Sequence, residues 1–398
     1  MKKVFLLFVS LLALFAVQAQ DVTYLDASGA QQTLSSGNYT VVTDQTAWTS
    51  GWYVVNADVT IDSRITATGD VHLVLKDGVT FNAKKGITVN YNSSANNALT
   101  IYAQSATTGM GKLVINSVID NNAGIGASKS SSSNGNHCGV ITINGGDLDI
   151  KSGYSGAAIG SASNNSNYST NNGVVIVNGG SLTLRYNGYG AGIGGGEYTA
   201  GGTIIINGGT INATGGSNSA AIGGCDGGDG GNITITGGVI NATGNNGSPG
   251  IGGGSYWSGT ANKGGQSGTI TITGGQISSY PGYNGAAAIG AANTPKPATA
   301  SDVIHLSWTN STDRYCTYSG GYKAGRVIIE KPFDIESTGE LATQDDLHSA
   351  SVLVPHEGET LHSVTYIIDG EVYQQVYLVA GQRAENLPYK PSDKLFDA

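Results

Sequence analysis

An asparagine or threonine standing directly before a Gly-Gly pair recurs at Asn144, Asn178, Asn207, Thr236 and Thr273. An isoleucine in AAIG, AGIG or PGIG follows each at Ile159, Ile193, Ile222, Ile251 and Ile289. The interval is 15 residues in the first four cases and 16 in the last. The way back is uneven: 19 residues from Ile125 to Asn144, then 19, 14, 14 and 22. One arc of the repeat therefore has a fixed length and the other absorbs insertions. Self-similarity at roughly 30 residues indicates a solenoid, with insertions gathered on its outward, often binding, side.

The residues around the marker define the strands. Before it stand the pairs Ile141/Ile143, Val175/Val177, Ile204/Ile206, Ile233/Ile235 and Ile270/Ile272. After it come Leu148, Leu182, Ile211, Ile240 and Ile277, then Ile150, Leu184, Ala213, Ala242 and Ser279 two residues further on. Alternation at period two on both sides of a Gly-Gly corner predicts two short strands, each with one face inward. The lone isoleucine supplies a third inward side chain. Three strands per turn predict an all-β chain, a right-handed parallel β-helix, the hand following the general preference of parallel crossovers. The marker asparagines should form a hydrogen-bonded ladder along one corner. A β-sandwich would not explain an arc of constant length.

Residues 1–19 have the pattern of a signal peptide: Lys2 and Lys3, an apolar run from Val4 to Val17, and small residues at the cleavage point. The expected product is exported, to the cell surface, the medium or the periplasm. No later segment is apolar for long enough to span a bilayer. Residues 20–52 are expected to cap the N-terminal end of the stack and 53–300 to form the β-helix. Residues 301–360 are expected as a β-rich C-terminal cap, and 361–398 as a hairpin module turning at Asp369-Gly370. Charge supports the boundary near 300: residues 121–292 hold nine charged side chains, whereas 301–398 carry 15 acidic and seven basic ones. A net charge of −9 argues against a nucleic-acid partner. Cys138 and Cys225 lie three turns apart, about 14 Å at strand spacing, beyond disulfide reach. They are expected as free, space-filling thiols.

YVVNADVTIDSRITATGDVHLVLKDGVTF (53–81), NALTIYAQ (97–104) and the repeated A-(A/G)-I-G and T-I-T-I-(N/T)-G-G segments resemble bacterial exported β-helix proteins of the pectate-lyase-like superfold. The nearest likeness is to its surface or secreted, carbohydrate-binding group. Leu73 to Leu99 is expected to span about one turn. The tail VTYIIDGEVYQQVYL (364–378) is similar to the first hairpin of MucBP/internalin-B-type repeats. The aromatic-rich end that follows in those repeats does not appear before Ala398, so the module is expected to be truncated or divergent. The superfold implies either calcium-binding aspartates with a basic residue, as in lyases, or close carboxylates, as in hydrolases.

Against that expectation, Asp147 and Asp149 share one outward strand face, but no second carboxylate pair aligns beside them, and Arg185 is the neighbouring base on the next turn. No catalytic residue is assigned. Asp226 and Asp229, in CDGGDGGN (225–232), offer at most a weak calcium site, because that ion wants six to eight oxygens. No other cofactor is indicated. His137 is expected in solvent and His72 pointing out from its strand. Aromatics are the better signal. Tyr198 and Tyr256 each lie five residues after a marker isoleucine, with Trp257 adjacent, and Tyr154, Tyr168, Tyr186, Tyr189, Tyr280 and Tyr283 also fall in loops rich in Asn, Ser and Gly. Such rings suit stacking on sugar faces. Tyr198, Tyr256, Trp257 and Tyr168 are the expected glycan contacts, and 126–139, 160–173 and 252–268 are the expected binding loops. The expected function is adhesin-like binding of a polysaccharide, a surface glycan, or a host or neighbouring cell. A polysaccharide lyase or hydrolase, or a passive stalk, is the alternative.

Overall fold

A computed structural model describes residues 20–91, 97–116, 118–119, 121–129, 137–164, 171, 173–256, 263–358, 361–368 and 371–379. Three long sheets run along the molecule, of eleven, eleven and ten strands. Sheet 1 contains the strands before the Gly-Gly marker, such as Thr203–Ile206; sheet 2 those after it, such as Thr210–Thr214; sheet 3 the two-residue Ile-Gly strands, such as Ile222–Gly223. Neighbouring strands come from successive turns and pair in parallel, as in Ile204↔Ile233 and Ile211↔Ile240. The chain is a right-handed parallel β-helix.

The marker isoleucines stack in one column: Ile125, Ile159, Ile193, Ile222, Ile251 and Ile289 occupy the same register on successive turns. Ile65 and Ile87 extend the column toward the N-terminus and Tyr322 ends it. All six are fully buried, with the aliphatic columns of sheets 1 and 2 around them. Removing this apolar surface from water, at about 25 cal/mol per Å², is the main favourable term holding the turns together.

The glycine after each isoleucine is equally constrained. Gly223 has φ +132°, and a Cβ there would lie 2.0 Å from the Gly252 carbonyl oxygen. The same close approach recurs from Gly126 to Gly290, at 1.9–2.3 Å. A side chain at this column would hold adjacent turns apart.

At the opposite corner the ladder forms as expected. Asn178 Nδ2 donates to Asn144 Oδ1 (2.8 Å), Asn207 Nδ2 to Asn178 Oδ1 (2.8 Å), and Thr236 Oγ1 to Asn207 Oδ1 (2.9 Å). Each turn thus satisfies the polar group of the next.

The ends are closed by rings rather than aliphatics. Trp48 stacks on Tyr53 (4.9 Å, 20°) and Phe81 (6.1 Å, 28°) at one end; Tyr315, Tyr322 and Phe333 fill the other. The antiparallel pair Val22–Leu25 and Gln31–Leu34 lies on the outer face of sheet 1, its Val22 and Leu34 against Val54, Val74 and Tyr102. Beyond residue 300 the helix continues: Val303–Leu306 and Arg326–Ile329 are further strands of sheet 1 and Tyr322–Lys323 of sheet 3. Sheet 2 then closes antiparallel through Ser351–Pro355 and Phe333–Ile335. Leu361–Ile368 and Glu371–Val379 form an antiparallel pair. Residues 1–19 and the Asp369-Gly370 turn lie outside the described residues.

Three details differ from expectation. Leu99 pairs with Val71, and Leu73 with Ile101, so this turn is two residues longer than the Leu73–Leu99 interval. A strand of period two presents the same face after a slip of two, so alternation alone cannot fix that register. His137 is 3% exposed instead of solvated, and both ring nitrogens are buried without a hydrogen-bond partner among the described residues. Arg64, unremarked in the sequence, ties successive turns together: Nε donates to Thr88 Oγ1 (2.7 Å) and Nη1 to the Lys85 and Ala123 carbonyls (2.7 and 2.9 Å).

Candidate functional site

From Ile87–Thr88 onward the sheet 3 strands are only two residues long, so the arcs entering and leaving each strand meet over its outer side. They bury a layer of small polar residues there, including Ser161, Ser163, Thr199, Asn218, Ser219, Ser248 and Ser255. Hydrogen bonds tie the two arcs, Asp226 N–H donating to the Asn218 carbonyl (3.0 Å) and Ser255 N–H to Ser248 Oγ (2.8 Å), while Cys225 N–H joins successive turns by donating to the Thr199 carbonyl (3.1 Å). A second asparagine ladder runs through this layer. Asn246 Nδ2 donates to Asn218 Oδ1 and Asn284 Nδ2 to Asn246 Oδ1 (3.2 Å). These three asparagines have φ of +59°, +44° and +78°. Asparagine tolerates this left-handed region better than most residues because its short side chain bonds locally.

Tyrosines stand on that layer. Tyr198 (φ +60°) and Tyr256 are half-buried, two turns apart, with Asp226 in the turn between them. Burial pushes the Tyr198 phenol up to about 12, and the charges of Asp226 and Glu197, with Tyr256 and Tyr189, add to the effect. The phenol therefore stays neutral. Tyr189 lies edge-on to Tyr154 (5.7 Å, 72°) and within electrostatic reach of Glu197 and Asp226. Tyr189 and Tyr198 thus share the electrostatic influence of two carboxylates, Asp226 and Glu197. Tyr186 and Tyr283 are exposed on the same flank, and Tyr280 stacks on Tyr318 nearer the C-terminal end. Tyr168 and Trp257 lie outside the described residues, as do parts of the loops 126–139, 160–173 and 252–268.

The two aspartates of CDGGDGGN separate. Asp226 is buried below the tyrosines, whereas Asp229 pairs with Lys296 (2.9 Å) and accepts the Gln266 N–H (2.8 Å). Among the described residues no group of three or more His, Cys, Asp or Glu side chains is placed to hold a metal ion. Asp147 and Asp149 each face a cation on a neighbouring turn, Lys112 (3.4 Å) and Arg185 respectively. Lys112 went unnoticed in the sequence because it lies outside the regular repeats. Cys138, Cys225 and Cys316 are free and buried, and burial pushes the Cys138 thiol up to about 12. His72 points outward and stacks on Trp52 (4.4 Å, 19°), with Nδ1 3.1 Å from the Tyr102 hydroxyl.

The chain matches the family model of the beta helix repeat over residues 141–163, 204–228 and 233–255. Each stretch covers a sheet 2 strand and the Ile-Gly strand with its loop. No curated protein and no solved structure matches the chain. No helix among the described residues is long and apolar enough to cross a membrane.

Proposed function

We propose that this is an exported, non-catalytic β-helix that binds glycans, in a polysaccharide or on a cell surface, along the flank where the arcs fold over sheet 3. The observation that carries the reading is that Tyr198 and Tyr256, half-buried at one offset from the isoleucine column on alternate turns, lie within electrostatic reach of each other, and Tyr198 also of Asp226 and of Tyr189, which packs edge-on to Tyr154. Rings present flat apolar faces, neutral phenols donate to sugar hydroxyls, and carboxylates accept from them. Each stacking contact contributes on the order of 1 kcal/mol. Repetition along a rigid rod sums weak contacts by raising the effective concentration of the second site. The Lys2-Lys3 and apolar leader supports export.

The test is a glycan array with the full chain, followed by affinity measurement on the hits. Replacing Tyr198 and Tyr256 together by alanine should weaken binding by roughly tenfold to a hundredfold, with unchanged thermal unfolding. Unaltered affinity in the double variant would remove these rings from the site.

A further inference from the structure

A cleft of about 500 Å³ opens on the outer face of sheet 2 near its C-terminal end, away from the Tyr198–Tyr256 cluster. One wall is the pair Tyr280 and Tyr318, whose rings lie parallel (7°) with centroids 4.0 Å apart. The pairing follows from register: Ser279 pairs with Thr317 on the adjacent strand, which sets Tyr280 beside Tyr318, and the Tyr318 N–H donates to the Ser279 carbonyl (3.0 Å). The opposite wall exists because sheet 2 ends antiparallel, which brings Ser351, Val352 and Ile335 alongside. Pro281 completes an apolar lining. Polar groups sit among these surfaces. Ser351 Oγ is buried with no hydrogen-bond partner among the described residues. Glu336 stands at the rim, its carboxylate gripped by Arg314 through two bonds of 2.7 Å.

We propose that this cleft binds one neutral sugar ring, as a subsite separate from the Tyr198–Tyr256 cluster; the inference rests on the glycan-binding reading above. Tyr318 is 41% exposed, so it presents surface to a ligand while Tyr280 supports it from behind. A pyranose has the required character, with an apolar face for the ring and hydroxyls at its edge for the exposed Glu336. A uronic acid is disfavoured. Arg314 is already committed to Glu336, and residues 301–398 carry 15 acidic against seven basic side chains. The cleft follows Tyr154, Tyr189 and the Asn218–Asn246–Asn284 ladder in turn order. Turns repeat at about 4.8 Å, comparable to the advance of a glycan chain per sugar.

The experiment titrates the full chain with cellotetraose, maltotetraose, mannotetraose, xylotetraose and tetragalacturonate by calorimetry. A neutral tetrasaccharide should bind and tetragalacturonate should not. Tyr318→Ala should weaken that binding by about tenfold, and Tyr318→Phe should retain it. Should Tyr318→Ala unfold, Ser337→Tyr serves instead, adding bulk at the exposed mouth and expected to produce the same loss. Full affinity in Ser337→Tyr, or in a folded Tyr318→Ala, overturns the cleft; if the Tyr198/Tyr256 double variant still weakens binding, the flank reading survives. Tetragalacturonate binding as tightly as the neutral sugars overturns the assignment of ligand. Failure of every neutral tetrasaccharide to bind the wild-type chain overturns the cleft, while the flank reading is decided separately by the glycan array.

Discussion

The Asn-Gly-Gly corner and the loop-covered flank of sheet 3 solve one problem in opposite ways. Both must bend the chain sharply and still satisfy its polar groups. The corner does so with three asparagines and then a threonine stacked turn on turn, each side chain bonding the next. An insertion there would break the ladder, and the arc from marker to isoleucine keeps its length. The flank relies instead on glycine and small hydroxyl residues that bond whatever backbone lies beside them. Insertions are absorbed, and aromatic side chains are raised above the layer. Repetition gives the molecule its rod; irregularity gives the rod a surface on which turns differ.

The contrast can be broken most severely where the two regimes meet, at the Ile-Gly strand beneath the flank. Gly223→Ala forces a Cβ to 2.0 Å from the Gly252 carbonyl at a φ of +132°. A destabilisation on the order of 4 kcal/mol is expected, read as a large fall in thermal midpoint or as failure to recover folded protein. At the corner, Asn207→Ala removes two ladder bonds, to Asn178 and from Thr236. Both partners stay close to solvent, so the expected cost is about 1–2 kcal/mol by denaturant unfolding. The smallest effect is pH-dependent and belongs to the flank. Burial holds the His137 imidazole below its usual 6.5. As pH falls, the unfolded chain takes the proton first, so the stabilisation present above 6.5 is progressively lost below it, down to the folded-state value. The thermal midpoint of wild type should therefore drop more between pH 7 and pH 5 than that of His137→Gln. Equal drops would mean that His137 does not govern the response.

The legible part of this chain was its interior. Ile222 or Ile211 reads as inward from period and spacing alone, since nothing else explains why they recur. The two-residue slip at Leu73 shows the limit: alternation specifies a face, but not which equivalent residue is opposite. The flank was harder to read because Ser219, Ser255 and Asn218 have the composition of a solvated loop whether or not another arc covers them. His137 was misplaced for that reason, its covering groups coming from elsewhere in the chain. Tyr198 and Tyr256 were legible as a pair because their offset from the isoleucine column is constant. Tyr318 and Arg314 were not, because their neighbours depend on how sheet 2 ends. The ring-filled ends also carry no repeat, so Trp48 and Phe333 gave no sign of their shared role.

Removing residues 208–236 tests the stacking most directly. Asn207 and Thr236 are 29 residues apart and occupy equivalent places in the ladder, so the deletion takes out one whole turn and rejoins Asn207 to Gly237. The shortened chain should fold with cooperative thermal unfolding and a β-type circular dichroism spectrum. A control lacking residues 208–222, only the fixed arc, should not. Collapse of the whole-turn deletion to the same degree as the half-turn control would contradict a rod built of interchangeable turns.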